Sequence, residues 1–346
     1  MSSSDIHNRK TEHLTLARDP STQMRSGNGL DSIRFEPISL PEIDFSEIRI
    51  DSIFLGKPIA CPIMIASMSG GTKESETLNE RLAVAAQAMQ IPLALGSMRI
   101  AIEQRELKKA FQLRHIAPTI PILANIGGAQ LIEAGGIQRA LDCAEIAAAD
   151  ALIVHLNPLQ EALQPNGDRN WRGVGNAIKT LVDESAVPIV VKEVGHGLGP
   201  TSVKQLIDLG VAWIDLAGTG GTSWAMIEAL RAGDDPQRAE IGTVFADFGI
   251  SAVETLNTIN REPEKYASCR FIASGGIRSG LDVARALRAG ATLCSAAKPF
   301  LDAADKGPEA IESLVATWCE QLKVTCFVTG SRDIECLKRA RLLHVK

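Results

Sequence analysis

Eight apolar runs, separated by stretches of helical period, constrain this chain more than any other feature. They are Ile59–Ala66, Pro92–Gly96, Pro121–Asn125, Ala151–His155, Pro188–Glu193, Ala212–Ala217, Arg270–Ser274 and Thr292–Ala296. Runs that are apolar at nearly every position suit parallel strands buried on both faces. Between them, Thr77–Met89 and Ile137–Ala149 carry the longer period of helices packed on a sheet. Pro62, Pro92, Pro121 and Pro188 fall near strand starts, where a missing N–H costs little. Eight alternating units predict an α/β fold closed as a TIM (β/α)8 barrel. Such a barrel takes about 250 residues, so a chain of 346 leaves room for an extension. We expect residues 1–57 to form an N-terminal extension and 58–346 the barrel. A doubly wound sheet would place a glycine fingerprint after its first strand. Here the first turn is SMSGGT (Ser67–Thr72), which is not GxGxxG, and the stronger glycine signature comes last.

Composition narrows the class. Aromatic residues are only 4% of the chain against 45% apolar, so aliphatic side chains must fill the core. The net charge of −5 lacks the basic excess that nucleic-acid binding needs. Seven scattered cysteines with no CxxC pair argue against a zinc site or a secreted disulfide framework. No apolar run reaches transmembrane length, and the polar start MSSSDIHNRKTEHL lacks a signal-peptide core. A cytoplasmic protein is expected.

The last two units share a phosphate signature. In Ile272–Phe300, the turn SGGIRSG (Ser274–Gly280) lets unshielded amides approach a ligand. A helix from about Leu281 to Arg288 is expected to aim its N-terminus at the same point. A second turn of small residues follows Cys294–Ala297. In a barrel, this pair of loops forms the usual phosphate cradle.

Barrel active sites lie at the C-terminal strand ends, and polar groups collect there in this sequence. The first ends offer Ser67, Met68 and Ser69, then Ser97 and Arg99, then Asn125. The fourth offers His155, Gln160 and Glu161, the fifth Lys192, and the sixth AGTGGTSW (Ala217–Trp224). Each could be an ordinary turn or core residue alone, but burying the whole set without purpose would be costly. Lys192, near the end of the buried run PIVVKEVG, has two equal readings. It could form a Schiff base with a sugar phosphate, or balance the charge of a reduced flavin ring near N1 and O2. Glu161 could bind Mg²⁺ through its oxygens. RKTEHL (Arg9–Leu14) offers Arg9, Lys10 and His13 outside the barrel pattern, and Arg99 could join them in holding a diphosphate. The sixth loop, Gly218 to about Asp247, is the longest and should hold a helix around Trp224–Arg231.

In order along the chain stand RKTEHL, ASMSGGT, GSMR, ANIGG, HLNPLQEALQPNGDRNWRG, VVKEVGHG, AGTGGTSW and ASGGIRSG. This set resembles the FMN-dependent type 2 isopentenyl-diphosphate Δ-isomerases over about residues 8–340. The resemblance implies interconversion of isopentenyl and dimethylallyl diphosphate with reduced FMN and Mg²⁺, and NADPH as flavin reductant. It implies a homotetramer or octamer, with the N-terminal extension able to exchange contacts between subunits. By motif, Arg9, Lys10, Ser97, Arg99 and Gln160 would bind substrate, and Glu161 would hold Mg²⁺. Ser67, Met68, Ser69, Ser97, Asn125 and Lys192 would contact FMN, with Thr219 and Thr222 near its tail. Gly275, Gly276, Ile277, Ala296 and Ala297 would cradle its phosphate. Gln160, Lys192 and His155 would form the reacting wall, with Trp224 lining the pocket.

Two motifs depart from the family pattern. SMSGG replaces MTGG and keeps a hydroxyl; SMR replaces SQR, so Met98 brings no amide. No pair of carboxylates or cysteines appears at the strand ends for acid–base work, which leaves reduced flavin as the expected proton-transfer group. An FMN-dependent 2-hydroxy-acid oxidase is the nearest alternative, but it needs a base histidine near the sixth loop. Gly218–Arg231 contains none. A non-catalytic flavin or phosphate sensor is the alternative from another class.

Overall fold

The computed structural model describes residues 3–68 and 73–343. Its strands are β1 (Ser52–Phe54), β2 (Lys57–Ile59), β3 (Ile63–Ile65), β4 (Leu93–Ala94), β5 (Ile122–Gly127), β6 (Ala151–His155), β7 (Ile189–Lys192), β8 (Trp213–Asp215), β9 (Arg270–Ala273) and β10 (Leu293–Ala296). Strands β3 to β10 close into a parallel barrel in chain order, with β10 pairing back onto β3. A barrel strand lies in each of the eight expected runs. The helices predicted at 77–89 and 137–149 are Lys73–Ala88 and Gly136–Ala147.

The first run needs correction. It holds two elements, because Ile59 ends β2 while the barrel strand starts at Ile63. Pro62 offers no N–H, and the Ile63 amide turns back to the Cys61 carbonyl at 2.8 Å, so the chain bends between them. Strands β1 and β2 form an antiparallel hairpin that the alternating pattern did not announce. The expected boundary at 57/58 falls inside its second strand. Phe54 and Ile59 are buried with Met64, Ala94, Leu123, Ala151, Ile153, Val190, Ile272 and Leu293, which fill the barrel interior. Phe54 meets Trp213, at the start of β8, edge to face at 4.9 Å. The hairpin thus closes the N-terminal end of the barrel. Burying one such aromatic contributes about 1.5–3 kcal/mol.

The opposite, C-terminal end is covered by the start of the chain. Helix Ser3–Arg18 buries Leu14 in the core and fixes its end through paired Arg18–Asp305 bonds of 2.8 Å. The sixth loop carries the expected helix, Trp224–Leu230, started by the Ser223 side chain accepting from the Met226 amide. It carries a second, Pro236–Val244, that was not foreseen. A 21-residue helix, Pro308–Val328, packs along Gly280–Arg288 and Lys73–Ala88. All seven cysteines are free thiols. Among the described residues, no helix is long and apolar enough to cross a membrane.

Candidate active site

Parallel pairing fixes which strand-end groups are neighbours. Gly127 pairs with His155, His155 with Lys192, and Lys192 with Asp215, so one row across four strands carries three ionisable side chains. This row lies at the C-terminal ends, beside a cavity of about 260 Å³. Residues from every region predicted to matter line it: Arg9, Lys10, Ser67, Met68, Ser97, Arg99, Asn125, His155, Gln160, Glu161, Lys192, Thr222, Trp224, Gly275, Gly276, Ile277, Ala296 and Ala297. Ser69 lies outside the described residues. Thr219 is the exception among the described candidates. Its amide donates to the Ile250 carbonyl at 3.1 Å and its methyl lies behind Gly249, so the fold turns it away from the cavity wall.

One end of the cavity is made of backbone. Gly275 and Gly276 adopt φ of +96° and +70°. A Cβ on Gly275 would lie 1.9 Å from the Gly218 carbonyl oxygen, and one on Gly276 2.5 Å from that of Gly220. Only glycine permits this packing of the last two loops against the sixth. Among the described residues, no main-chain carbonyl accepts from the amides of Gly275, Gly276 or Ile277. The expected helix contribution needs correction. Two amides of the first turn of Gly280–Arg288 are already taken, because Ser279 Oγ accepts from Asp282 N and Gln321 Oε1 from Gly280 N, while Asp282 Oδ2 accepts from Arg278 N just before the helix. Helix Lys298–Ala304, in contrast, has no side-chain cap. The cradle amides therefore come chiefly from the turn at 275–277 and from the start of helix Lys298–Ala304. An amide-lined end of this kind, with Arg278 and Lys298 also on its wall, suits a phosphate, and the length of wall beyond it suits a flat ring.

A strap from the N-terminal extension crosses this end. Gln23 bridges Thr222, Met24 N donates to Gly221 O, and Asn28 Nδ2 donates to Gly276 O at 2.7 Å. Arg278 donates to Gly220 O, Gly276 O and Gln23 Oε1. Neither Gln23 nor Arg278 was singled out from the sequence, although both line the cavity.

The middle wall is a set of oriented side chains. Asn125 donates to Ser67 Oγ at 2.8 Å and faces His155 Nδ1 at 2.8 Å through its Oδ1, which places the ring proton on Nδ1. Burial, then the charges of Lys192 and Lys10, push the His155 pKa down to about 3, so its imidazole is neutral. Lys192 Nζ donates to the Glu193 carbonyl at 2.6 Å. The Glu193 carboxylate in turn accepts from the four successive amides of Val194 to Gly197, holding the loop that follows Lys192. Met98 is fully buried and packs in the core, so the missing family amide is replaced by apolar contact.

The far end is cationic. Lys10 donates to the Ser97 carbonyl at 3.0 Å, and burial, then Arg9, lowers its pKa to about 7. Burial also lowers that of Arg9. Arg99 differs: it faces Glu103 at 3.1 Å, Asp168 at 3.2 Å and Glu133 at 3.5 Å. Burial opposes its charge, and these carboxylates outweigh it and raise the pKa. An anionic substrate would share Arg99 with them.

Between the ends, Gln160 is fixed at both ends of its amide. Asn157 Nδ2 donates to its Oε1 at 2.9 Å, and its Nε2 donates to Glu228 Oε1 at 3.2 Å. Glu228 is fully buried, pairs with Arg231 at 2.6 Å and faces His13 Nε2 at 2.9 Å. Burial opposes its charge, but His13 and Arg231 hold its pKa below the carboxylate range. His13 lies edge-on to Trp224 at 5.1 Å. Glu228 was missed because a glutamate inside an ordinary helical stretch carries no motif. Glu161 accepts from Asn157 Nδ2 at 3.0 Å, Gln164 Nε2 at 3.2 Å and Asp168 N at 2.7 Å. Among the described residues there is no group of three or more His, Cys, Asp or Glu side chains around it that could hold a metal.

Comparisons with known proteins agree with this architecture. The family model of the FMN-dependent dehydrogenases matches residues 161–344. The isopentenyl-diphosphate delta-isomerase of Pseudescherichia vulneris is 46% identical over 98% of this chain and 97% of its own length. That of Stutzerimonas stutzeri is 43% identical over 100% and 99%, and that of a Nostoc species 38% over 99% and 97%. Among solved structures, a flavocytochrome b2 with benzoylformate aligns at TM-score 0.67 and 18% identity, covering 92% of this chain and 80% of the other. A Pediococcus acidilactici lactate oxidase aligns at 0.65 and 16%, covering 99% and 94%. At that identity the likeness to these two structures shows the fold alone. The chain belongs to the isopentenyl-diphosphate delta-isomerases of the FMN-dependent type, built on the barrel of the FMN-dependent dehydrogenases.

Proposed function

We propose that this chain interconverts isopentenyl diphosphate and dimethylallyl diphosphate by moving one allylic proton, with the FMN phosphate at the glycine end of the cavity and the substrate diphosphate at the cationic end. The observation that carries this reading is the single cavity itself, which joins a backbone cradle at 275–277 to the Arg9, Lys10 and Arg99 side chains. When bound, reduced FMN supplies the proton-transfer chemistry that the wall side chains lack.

The chain's own residues then have distinct tasks. Arg9 and Lys10 receive the diphosphate and, being on the covering helix, shut water out above it. Lys192 places a positive charge at the wall, where an anionic ring edge needs one. Neutral His155, held by Asn125, presents an uncharged surface to the hydrocarbon. Gln160 keeps one amide hydrogen of Nε2 beyond its bond to Glu228 and orients the reacting face. Glu161 is the residue for Mg²⁺, with water and diphosphate oxygens completing the shell. NADPH as reductant, a tetrameric or octameric assembly and a cytoplasmic site belong to the same reading.

Full-length enzyme incubated without oxygen with isopentenyl diphosphate, FMN, NADPH and Mg²⁺ should yield dimethylallyl diphosphate by proton NMR. Flavin binding with no conversion would point to a sensor, and oxidation of lactate or glycolate to an oxidase. Full turnover with a 5-deazaflavin analogue would remove proton transfer from the flavin's position 5.

A further inference from the structure

Asp215 is a buried carboxylate, 2% exposed, at the end of β8, and none of the roles above uses it. Its Oδ1 accepts from Ser274 Oγ at 2.5 Å and from the Ala217 amide at 3.2 Å. Its Oδ2 accepts from Ser295 Oγ at 3.1 Å. The three residues stand at the ends of three successive strands, β8, β9 and β10, beneath the glycine cradle. Among the described residues, no lysine, arginine or histidine forms an ion pair with this carboxylate. A buried carboxylate satisfied chiefly by hydroxyls is costly, and a simple brace between strands would use neutral groups.

The consequence lies on the other side of the two serines. Ser274 and Ser295 line the cavity, whereas Asp215 does not. A serine hydroxyl has one hydrogen to donate and two lone pairs to accept with. An ionised carboxylate can only accept, so both serines must spend their hydrogens on Asp215. Each then presents lone pairs, and no donor, to the cavity. Two adjacent acceptor-only hydroxyls recognise a ligand rich in hydroxyl donors. They stand beside the residues that would hold the cofactor phosphate, where the chain linking phosphate to ring must pass.

We infer that Asp215 is a positioning residue that fixes Ser274 and Ser295 as acceptors for the polyhydroxylated chain of the flavin. This rests on the FMN reading above. It also assigns a division of labour: the 275–277 turn reads the phosphate, and the Asp215 pair reads the polyol.

Three flavins separate the parts. FMN has polyol and phosphate, riboflavin has the polyol alone, and lumiflavin has neither. Their affinities for flavin-free full-length protein can be measured by fluorescence quenching. In Ser274→Ala/Ser295→Ala, FMN and riboflavin should each weaken by about tenfold, as expected for two lost hydrogen bonds. Lumiflavin should be unchanged. In Asp215→Asn the oxygen, held by the Ala217 amide, still accepts from Ser274, while Nδ2 donates to Ser295 and turns that hydroxyl's hydrogen outward, so the same selective loss should appear but be smaller. If all three flavins weaken together, or none does, in the folded double variant, the inference is overturned and Asp215 is only a brace. If the unaltered protein binds no FMN at all, the FMN reading itself fails, a result distinct from normal binding that the variants leave unchanged. Should Asp215→Asn not fold, the double serine variant, which keeps the carboxylate, still decides the matter.

Discussion

The two ends of the cavity, proposed above for cofactor phosphate and substrate diphosphate, are built in opposite ways. The proposed cofactor end uses amides of the 275–277 turn and of the start of helix Lys298–Ala304, and the turn is packed so closely that Gly275 and Gly276 admit no Cβ. The proposed substrate end uses long side chains, from a helix near residue 10 and from the start of the short helix Arg99–Glu103, that meet because helix Ser3–Arg18 covers the barrel. Amides need no ionisation and little reorganisation, so the first end binds the same way at any ordinary pH. Burial disfavours the Lys10 charge and neighbouring Arg9 adds to that, so the second end is costly until an anion arrives. The Lys10 pKa, lowered to about 7, is the sign of that cost. On the proposed function, this contrast would serve a resident cofactor and an exchanging substrate.

Breaking the backbone end should have the largest effect. Gly276→Val places a β-branched residue at φ +70° and against the Gly220 carbonyl. It should cost about 3 kcal/mol or more of stability and leave the purified protein without flavin, read by thermal melting and the flavin absorbance ratio. Removing the plug under the barrel tests whether stability and binding separate. Phe54→Ala should cost about 3–5 kcal/mol while the remaining folded protein keeps its FMN affinity, measured by urea melts and fluorescence titration.

The cationic end should reveal itself through pH. Lys10 is protonated below about pH 7 and neutral above it in the free protein. A diphosphate favours the protonated form, so binding takes up a proton above that pH. Pyrophosphate affinity should therefore fall from pH 7 to 9, while FMN affinity should not. Titration calorimetry in buffers of different ionisation enthalpy measures the uptake. The linked stability has the opposite slope: the unfolded chain holds the Lys10 proton up to its ordinary value of 10.5, so this group adds stability as pH rises from about 7. Glu161→Gln should raise the Mg²⁺ concentration for half-maximal activity by about tenfold, the weight of one charged oxygen contact. An unchanged Mg²⁺ dependence would remove Glu161 from the metal. Smallest of all, Gln23→Ala loses the bonds to Thr222 and Arg278 and should weaken both ligands only about fivefold, because the strap touches the cradle and continues into the substrate helix.

The same contrast explains what could be read from the sequence. The barrel was legible because each buried strand leaves a local signature, and all eight runs hold a barrel strand. The cradle was legible because a glycine turn followed by a helix is local too, although Ser279 and Gln321 had already claimed two of the helix amides. The cationic end was legible only as loose cations, RKTEHL and Arg99, and the family resemblance added Ser97, since nothing local to Arg9 and Lys10 says that residue 97 lies beside them. Glu228, Gln23, Arg278 and Asp215 escaped for a shared reason. Their importance comes from partners far along the chain, as in the bond from Gln160 to Glu228 and the pair of Ser274 and Ser295 on Asp215. The hairpin escaped because its β2 strand ran on into an apolar stretch that read as one strand.

The separation of the two ends is the central claim, and Lys10→Met tests it most directly. Pyrophosphate and FMN affinities of the full-length variant would be measured by titration calorimetry at pH 6.5, where Lys10 is still mostly charged in the unaltered protein. The account predicts that pyrophosphate weakens by about 30-fold, as for a lost charge-assisted contact, while FMN binds as before. A matching loss of FMN affinity, or undiminished pyrophosphate binding, would contradict it.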